Sequence, residues 1–191
     1  EKLFVEIKGS LSLLILTSKG IYAVRDINGR STLVVGQKKG SLAVASESCA
    51  FPNLGFTFKN ELKPGEVIFL NKNGIQKFAR LKSEQKYCAF NWIYTGYPAS
   101  SYNGIAVEEV RERSGANLAK KDLKEGLKAD LVAGIPDSGT AYAIGYAQEA
   151  KIPLRRVLMK YTPGYGRSFL PPSKEERDQI AQKKLLPIPS L

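Results

Sequence analysis

The chain has no histidine, and only two of its 191 residues are cysteine, Cys49 and Cys88. Without histidine there is no Ser–His or Cys–His couple and no imidazole metal site. Any general acid or base is then a carboxylate, Lys, Tyr, Cys or a group of the substrate. Two cysteines make neither a disulfide framework nor, within one chain, a structural zinc site. Acidic residues are also scarce: 18 Asp and Glu stand against 29 Lys and Arg, a formal net charge of +11. Long apolar runs are missing. Residues 11–17 (LSLLILT) are apolar, but far short of the roughly 18 consecutive apolar residues that span a bilayer. No cleavage pattern follows them, so no signal peptide and no membrane partner are expected, and the expected location is the cytoplasm.

What is present describes a globular chain. Hydrophobic residues make up 43% and charged residues 25%, enough to bury a core in one large domain or two small ones. The excess positive charge calls for an anionic partner or a tolerant surface. It is spread over Lys38, Lys39, Lys120, Lys121, Arg155, Arg156, Lys160, Arg167, Lys183 and Lys184 rather than gathered in one run. That spread suits a phosphate-bearing small molecule. No RNA-binding aromatic signature, helix-turn-helix or zinc finger is visible, so nucleic acid is not expected as a partner.

The periodicity changes near residues 80–105. Before that point the chain reads as short antiparallel strands forming one layer of a sandwich. Residues 10–16 and 21–25 are joined by the turn Thr17, Ser18, Lys19, Gly20. Residues 31–35 are entered through Asn28-Gly29, a strong hairpin signal. Residues 42–45 and 66–70 are further strands, and Asn73-Gly74 makes the next turn. Six aromatics between residues 86 and 104 (Tyr87, Phe90, Trp92, Tyr94, Tyr97, Tyr102) suggest a packed seam. Residues 104–121 are amphipathic at helical spacing, residues 161–173 are a long loop, residues 174–184 are a charged helix, and Pro187 and Pro189 end an extended tail.

The most informative stretch is residues 131–160. An apolar run, 131–135, reads as a buried strand. It breaks at Pro136, Asp137, Ser138, Gly139 and Thr140, and a helix with small residues follows. Pro153 stops that helix, and residues 157–159 read as the next parallel strand. A polar turn at the carboxyl end of a strand, opening a helix, is where open α/β sheets bind ligands and where anions are favoured. The alternative is an ordinary cap by the Asp137 or Ser138 side chain.

Several ordered motifs resemble the amidophosphoribosyltransferase family. Residues 24–30 (VRDINGR) resemble its D-x-N-G-x-R-P-L hairpin, residues 45–51 (ASESCAF) its A-S-E-T-C-A turn, and residues 62–66 (LKPGE) its PGE corner. Residues 88–100 (CAFNWIYTGYPAS) resemble its crossover, with Asn91 where the motif usually carries Glu. Residues 134–140 (GIPDSGT) resemble its pyrophosphate loop, and residues 165–169 (YGRSF) with 183–185 (KKL) its mobile loop.

The resemblance implies an N-terminal-nucleophile glutaminase joined to a type I phosphoribosyltransferase. Ammonia from glutamine displaces pyrophosphate from phosphoribosyl pyrophosphate, with magnesium, to give phosphoribosylamine for purine synthesis. The implied fold is α+β followed by α/β: the second half of the glutaminase sandwich over residues 1–85, a crossover over 86–104, and the first half of the transferase parallel sheet over 105–191. The implied pyrophosphate-binding residues are Asp137, Ser138, Gly139, Thr140 and Lys160, with Arg167 and Lys184 on the mobile loop. No catalytic or metal-ligating residue is assigned, because the nucleophile and the acidic substrate loop of the family have no counterpart here. Glu108 with Glu109 and Glu175 with Glu176 are acidic pairs, but both lie in helical patterns and read as solvated faces. Cys88 matches one of four cluster ligands in some members, and an iron–sulfur cluster, which needs four, is not expected. Expected partners are phosphoribosyl pyrophosphate or pyrophosphate, chains supplying the missing halves, and further copies of this chain in a homo-oligomer. Inactivity of the chain alone is expected. The other reading is a non-catalytic phosphate-binding or assembly module.

Overall fold

The structure, a computed structural model, describes residues 2–81, 83–161 and 167–191. The chain forms two compact units, residues 1–108 and 109–191. No helix among the described residues is long and apolar enough to cross a membrane.

In the first unit a short helix, α1 (Lys2–Glu6), precedes seven strands: β1 (Ser12–Thr17), β2 (Gly20–Arg25), β3 (Val34–Lys38), β4 (Ser41–Ala45), β5 (Thr57–Glu61), β6 (Glu66–Asn71) and β7 (Gly74–Arg80). They build two antiparallel sheets, ordered β1-β2-β6-β7 and β4-β3-β5. Both layers of a small sandwich are therefore present, where the sequence suggests one. Local chemistry sets the tight turns. Thr17 Oγ1 accepts from Lys19 N and donates to the Gly20 carbonyl at 2.8 Å, closing β1 onto β2. Asn71 Oδ1 accepts from Asn73 N at 2.8 Å, closing β6 onto β7. Ala23, Leu33, Val35, Leu62, Ile68 and Leu70 form the core between the sheets.

The expected hairpin at Asn28-Gly29 is not one. β2 pairs with β6, and the chain after β2 crosses to the other sheet. Two side chains hold that crossing. Asp26 Oδ1 accepts from Asn28 N at 2.7 Å and Gly29 N at 2.9 Å. The buried Arg25 guanidinium fills the loop, donating to Ser31 O at 3.0 Å, Gly29 O at 2.6 Å, Leu62 O and Glu61 Oε1 at 2.8 Å. Gly29 has φ +62°, and a β-carbon there would meet Pro64 Cγ at 2.6 Å.

Of the six aromatics at residues 86–104, Trp92 and Tyr102 are buried, edge to face at 5.6 Å. Tyr87, Phe90, Tyr94 and Tyr97 are exposed, which corrects the expected packed seam. The reason is the π-helical turn Asn91–Thr95, which buries Trp92 alone. Glu47 ties this segment to the 45–51 turn. Its Oε2 accepts from Ser100 Oγ at 2.7 Å and Tyr97 N at 3.0 Å, while Ser48 Oγ accepts from Ser101 N at 3.0 Å. Two-residue strands β8 (Ser101–Tyr102) and β9 (Ile105–Ala106) form a hairpin before the next helix.

That helix, α2 (Val107–Lys124), leads into the second unit, with α3 (Thr140–Ala150), β10 (Leu158–Lys160), α4 (Lys174–Lys184) and β11 (Leu185–Pro187). Glycines set the α2–α3 packing. A β-carbon at Gly115 would collide with the Tyr142 carbonyl, and one at Gly145 with the Glu112 carbonyl. The two backbones therefore lie in direct contact. Asp122 Oδ2 accepts from Tyr146 Oη at 2.9 Å across the same pair.

The sheet of this unit is sparser than the sequence suggests. Residues 131–135 carry a single parallel bridge, Val132 to Leu154, and Leu131 and Ile135 are exposed at 37% and 53%. β10 pairs antiparallel with β11, not in parallel. A strand buried on both faces needs neighbours on both sides; among the described residues this one has a neighbour on one side only. The tail after α4 is extended, with strand β11 over its first residues, and Ile188 N donates to Val157 O at 2.9 Å.

Candidate functional site

The turn after residues 131–135 is built from its own backbone. Gly139 N donates to Ile135 O at 2.8 Å and Thr140 N to Asp137 O at 3.2 Å. A β-carbon at Gly134 would meet Gly139 O at 2.9 Å, so the two glycines let the turn close on itself. The Pro136–Asp137 peptide is cis. Gly139 is the N-cap of α3, with no side-chain cap. The capping alternative for Asp137 and Ser138 therefore does not hold. Both residues are exposed.

Asp137 instead reaches the next strand. Its Oδ2 accepts from Lys160 Nζ at 2.5 Å, with the lysine side chain 27% exposed and the carboxylate 77%. A cavity of about 330 Å³ lies beside this pair. Pro136, Asp137, Thr140, Leu154, Arg155 and Arg156 contribute to its wall. The cavity thus sits where the bridged segment 131–135 gives way to α3, with Arg155 and Arg156 in its wall and the Lys160 ammonium tied to it through Asp137. Such a set binds oxyanions through charge-assisted hydrogen bonds, aided by the α3 dipole at about 0.3–1 kcal/mol.

Of the expected site residues, Asp137 and Thr140 line this cavity, and Lys160 is joined to it through its pair with Asp137. Ser138 and Gly139 belong to the same turn. Lys184 ends α4 immediately before β11, whose Leu185 pairs with Lys160, so the backbone brings it to the neighbouring strand. Arg167 lies in an exposed turn, with Leu170 N donating to its carbonyl at 3.2 Å. Residues 162–166, with Tyr165 and Gly166 of the expected mobile loop, lie outside the described residues. Arg155 and Arg156 were legible only as a basic pair. The signal that points to them is their place after Pro153, on the segment that bridges to Val132.

Glu109, Glu175 and Glu176 are exposed on their helices, while Glu108 is half-buried. Glu175 and Glu176 fall in the first turn of α4, whose N-cap Ser173 Oγ accepts from Glu176 N at 3.2 Å. Among the described residues no group of three potential metal ligands occurs. Both cysteines are free thiols.

No family model matches the chain. Individual proteins do. It is 36% identical over 183 residues to the chloroplastic amidophosphoribosyltransferase of Vigna aconitifolia, covering 95% of this chain and 37% of that protein. It is 35% identical to the Bacillus subtilis amidophosphoribosyltransferase, covering 94% of this chain and 37% of the relative. Over the length it spans, the chain is similar to amidophosphoribosyltransferases. The structures agree. The Bacillus subtilis glutamine phosphoribosylpyrophosphate (PRPP) amidotransferase complexed with ADP and GMP superposes with a TM-score of 0.82 at 34% identity, over 96% of this chain and 40% of that one. The allosteric regulatory enzyme of purine biosynthesis matches with the same TM-score and identity, over 39% of its chain. The chain thus spans about two fifths of the length of these relatives, between 37% and 40%, and its sheets and helices conform to an α/β architecture.

Proposed function

We propose that this chain carries the pyrophosphate-binding part of an amidophosphoribosyltransferase. In that reaction, ammonia derived from glutamine displaces pyrophosphate from phosphoribosyl pyrophosphate. The observation that carries the proposal is the cavity at residues 136–140, where Arg155, Arg156 and the Lys160–Asp137 pair gather at the end of a parallel-bridged strand. On this reading residues 1–85 belong to a glutaminase domain, 86–104 to a crossover and 105–191 to a phosphoribosyltransferase domain. Asp137, Ser138, Gly139, Thr140 and Lys160 then face the pyrophosphate, with Arg167 and Lys184 reaching it when the adjoining loop closes.

The donor set fits a magnesium ion brought by the substrate. One carboxylate, Asp137, stands at the cavity edge, and magnesium is commonly held by one or two carboxylates plus substrate phosphates. When bound, the ion neutralises charge on the leaving diphosphate. The chain's own residues hold that diphosphate and orient it: Arg155 and Arg156 through planar donors, Lys160 as a point charge.

Calorimetric titration with pyrophosphate and with phosphoribosyl pyrophosphate tests the proposal, on the chain and on Lys160→Ala. Saturable binding with a dissociation constant on the order of millimolar, strengthened by magnesium and weakened in Lys160→Ala, is expected. Absence of saturable heat from both ligands would overturn it. Equal binding to the chain and to Lys160→Ala would remove Lys160 from the site.

A further inference from the structure

The tips of the β1–β2, β3–β4 and β6–β7 hairpins read TSKG, KKGS and NKNG, and contain no acidic residue. The last two tips meet at a cavity of about 200 Å³. Its wall includes Lys38, Lys59 and Lys72 and the side-chain amides of Gln37, Asn71 and Asn73, with no carboxylate. Glu61 and Glu66 lie at the opposite ends of β5 and β6. They are already engaged, Glu61 by Arg25 and Glu66 by Lys63 N at 2.7 Å.

Two of the three ammonium groups are oriented by neutral partners. Lys38 Nζ donates to Leu54 O at 3.2 Å and sits 4.9 Å from the Phe56 ring centroid. Lys59 Nζ donates to Gln37 Oε1 at 2.6 Å. A carbonyl or an amide steers an ammonium without cancelling its charge. Lys59 and Lys72 bring like charge to one cleft, with Lys38 in its wall and its ammonium turned to Leu54 and Phe56, and an anion entering the cleft relieves their repulsion. Lysine point charges and amide donors suit tetrahedral phosphoryl oxygens. The Phe56 face is taken up by Lys38, so no free ring is offered for stacking a base.

We propose that this cleft is a second anion site, binding the phosphoryl groups of a soluble phosphorylated compound, separate from the cavity at residues 136–140. The probe is tripolyphosphate, titrated into the full chain at low salt while backbone amide shifts are followed by NMR. Saturable shifts are expected at residues 37–41 and 71–74, diminishing as salt is raised. They persist in Lys160→Ala, which disables only the other cavity. In the triple variant Lys38→Gln, Lys59→Gln, Lys72→Gln, affinity at these amides falls by about tenfold or more. The single change Lys72→Gln weakens it by a smaller factor, and Lys72→Arg retains it. No saturable shifts at these amides, or the same affinity in the triple variant with its urea midpoint intact, would overturn the proposal. So would tighter binding of an oligothymidylate or of polyglutamate at the same amides, since each assigns the face to a macromolecule.

Discussion

Asp137 is the residue whose role the structure changes most. The sequence offers it as an anion-loop residue or as a helix cap, because both need a short polar side chain before a helix. Its carboxylate in fact holds Lys160 at 2.5 Å, and α3 has no side-chain cap. An anion entering the cavity must compete with that carboxylate for the ammonium. Asp137→Asn is therefore expected to tighten metal-free pyrophosphate binding. The gain is limited to about fivefold, because exposed ion pairs contribute only about 0–1 kcal/mol. The magnesium-dependent part of binding should fall in the same variant. Calorimetry with and without magnesium measures both, and unchanged binding in both conditions would show that the carboxylate plays no part. Arg25 makes the opposite point about legibility. Nothing local marks it as a buried guanidinium, yet it donates to Gly29, Ser31, Glu61 and Leu62, and the partners at 61 and 62 are set by tertiary packing.

At the scale of elements, the second unit depends on α2 and α3 lying backbone to backbone. Gly115 and Gly145 have no room for a β-carbon, and the obstructing atoms are main-chain carbonyls that cannot swing aside. Gly145→Ala would gain helix propensity at about 1 kcal/mol in isolation. Here the clash should outweigh that gain, for a net loss of about 1–3 kcal/mol. Urea unfolding checks the direction, and a midpoint at or above that of the unaltered chain would contradict the packing. The same interface contains a pH-sensitive contact. The hydrogen bond from Tyr146 to the Asp122 carboxylate, then partial desolvation, then the carboxylate charge raise the Tyr146 pKa above 10.0. The neutral phenol is the form favoured in the fold. Its contribution is fully present below the unfolded phenol value and is lost as pH rises through the higher folded one. Ultraviolet titration checks this: the Tyr146 phenol should ionise at lower pH in Asp122→Asn than in the unaltered chain.

At the scale of the whole molecule, β1 presents Leu14, Ile15 and Leu16 at 47%, 45% and 80% exposure, and Phe78 of β7 is exposed at 68%. Apolar surface of this kind drives association. The chain is expected to self-associate with rising concentration, and Leu16→Lys with Phe78→Lys to shift it toward monomer in sedimentation velocity. A clean monomer at every concentration would contradict this.

The sequence by itself determined what a few neighbouring residues can decide. The turns at residues 17–20 and 71–74, the α4 cap at Ser173 and the polar break at residues 136–140 each need only a side chain two or three positions from its partner, or a glycine in the right place. The ordered motifs added the family. Tertiary structure decided which distant segments meet. It paired β2 with β6 instead of β3, joined the 45–51 turn to Ser100 through Glu47, and left residues 131–135 with one parallel neighbour. It also brought Arg155 and Arg156 to the cavity wall and gathered Lys38, Lys59 and Lys72 around a second cleft. Alternating apolar patterns say that a strand buries a face, but many strands satisfy one pattern equally. The choice among them is made by closing a common core, and that information is spread over the whole chain.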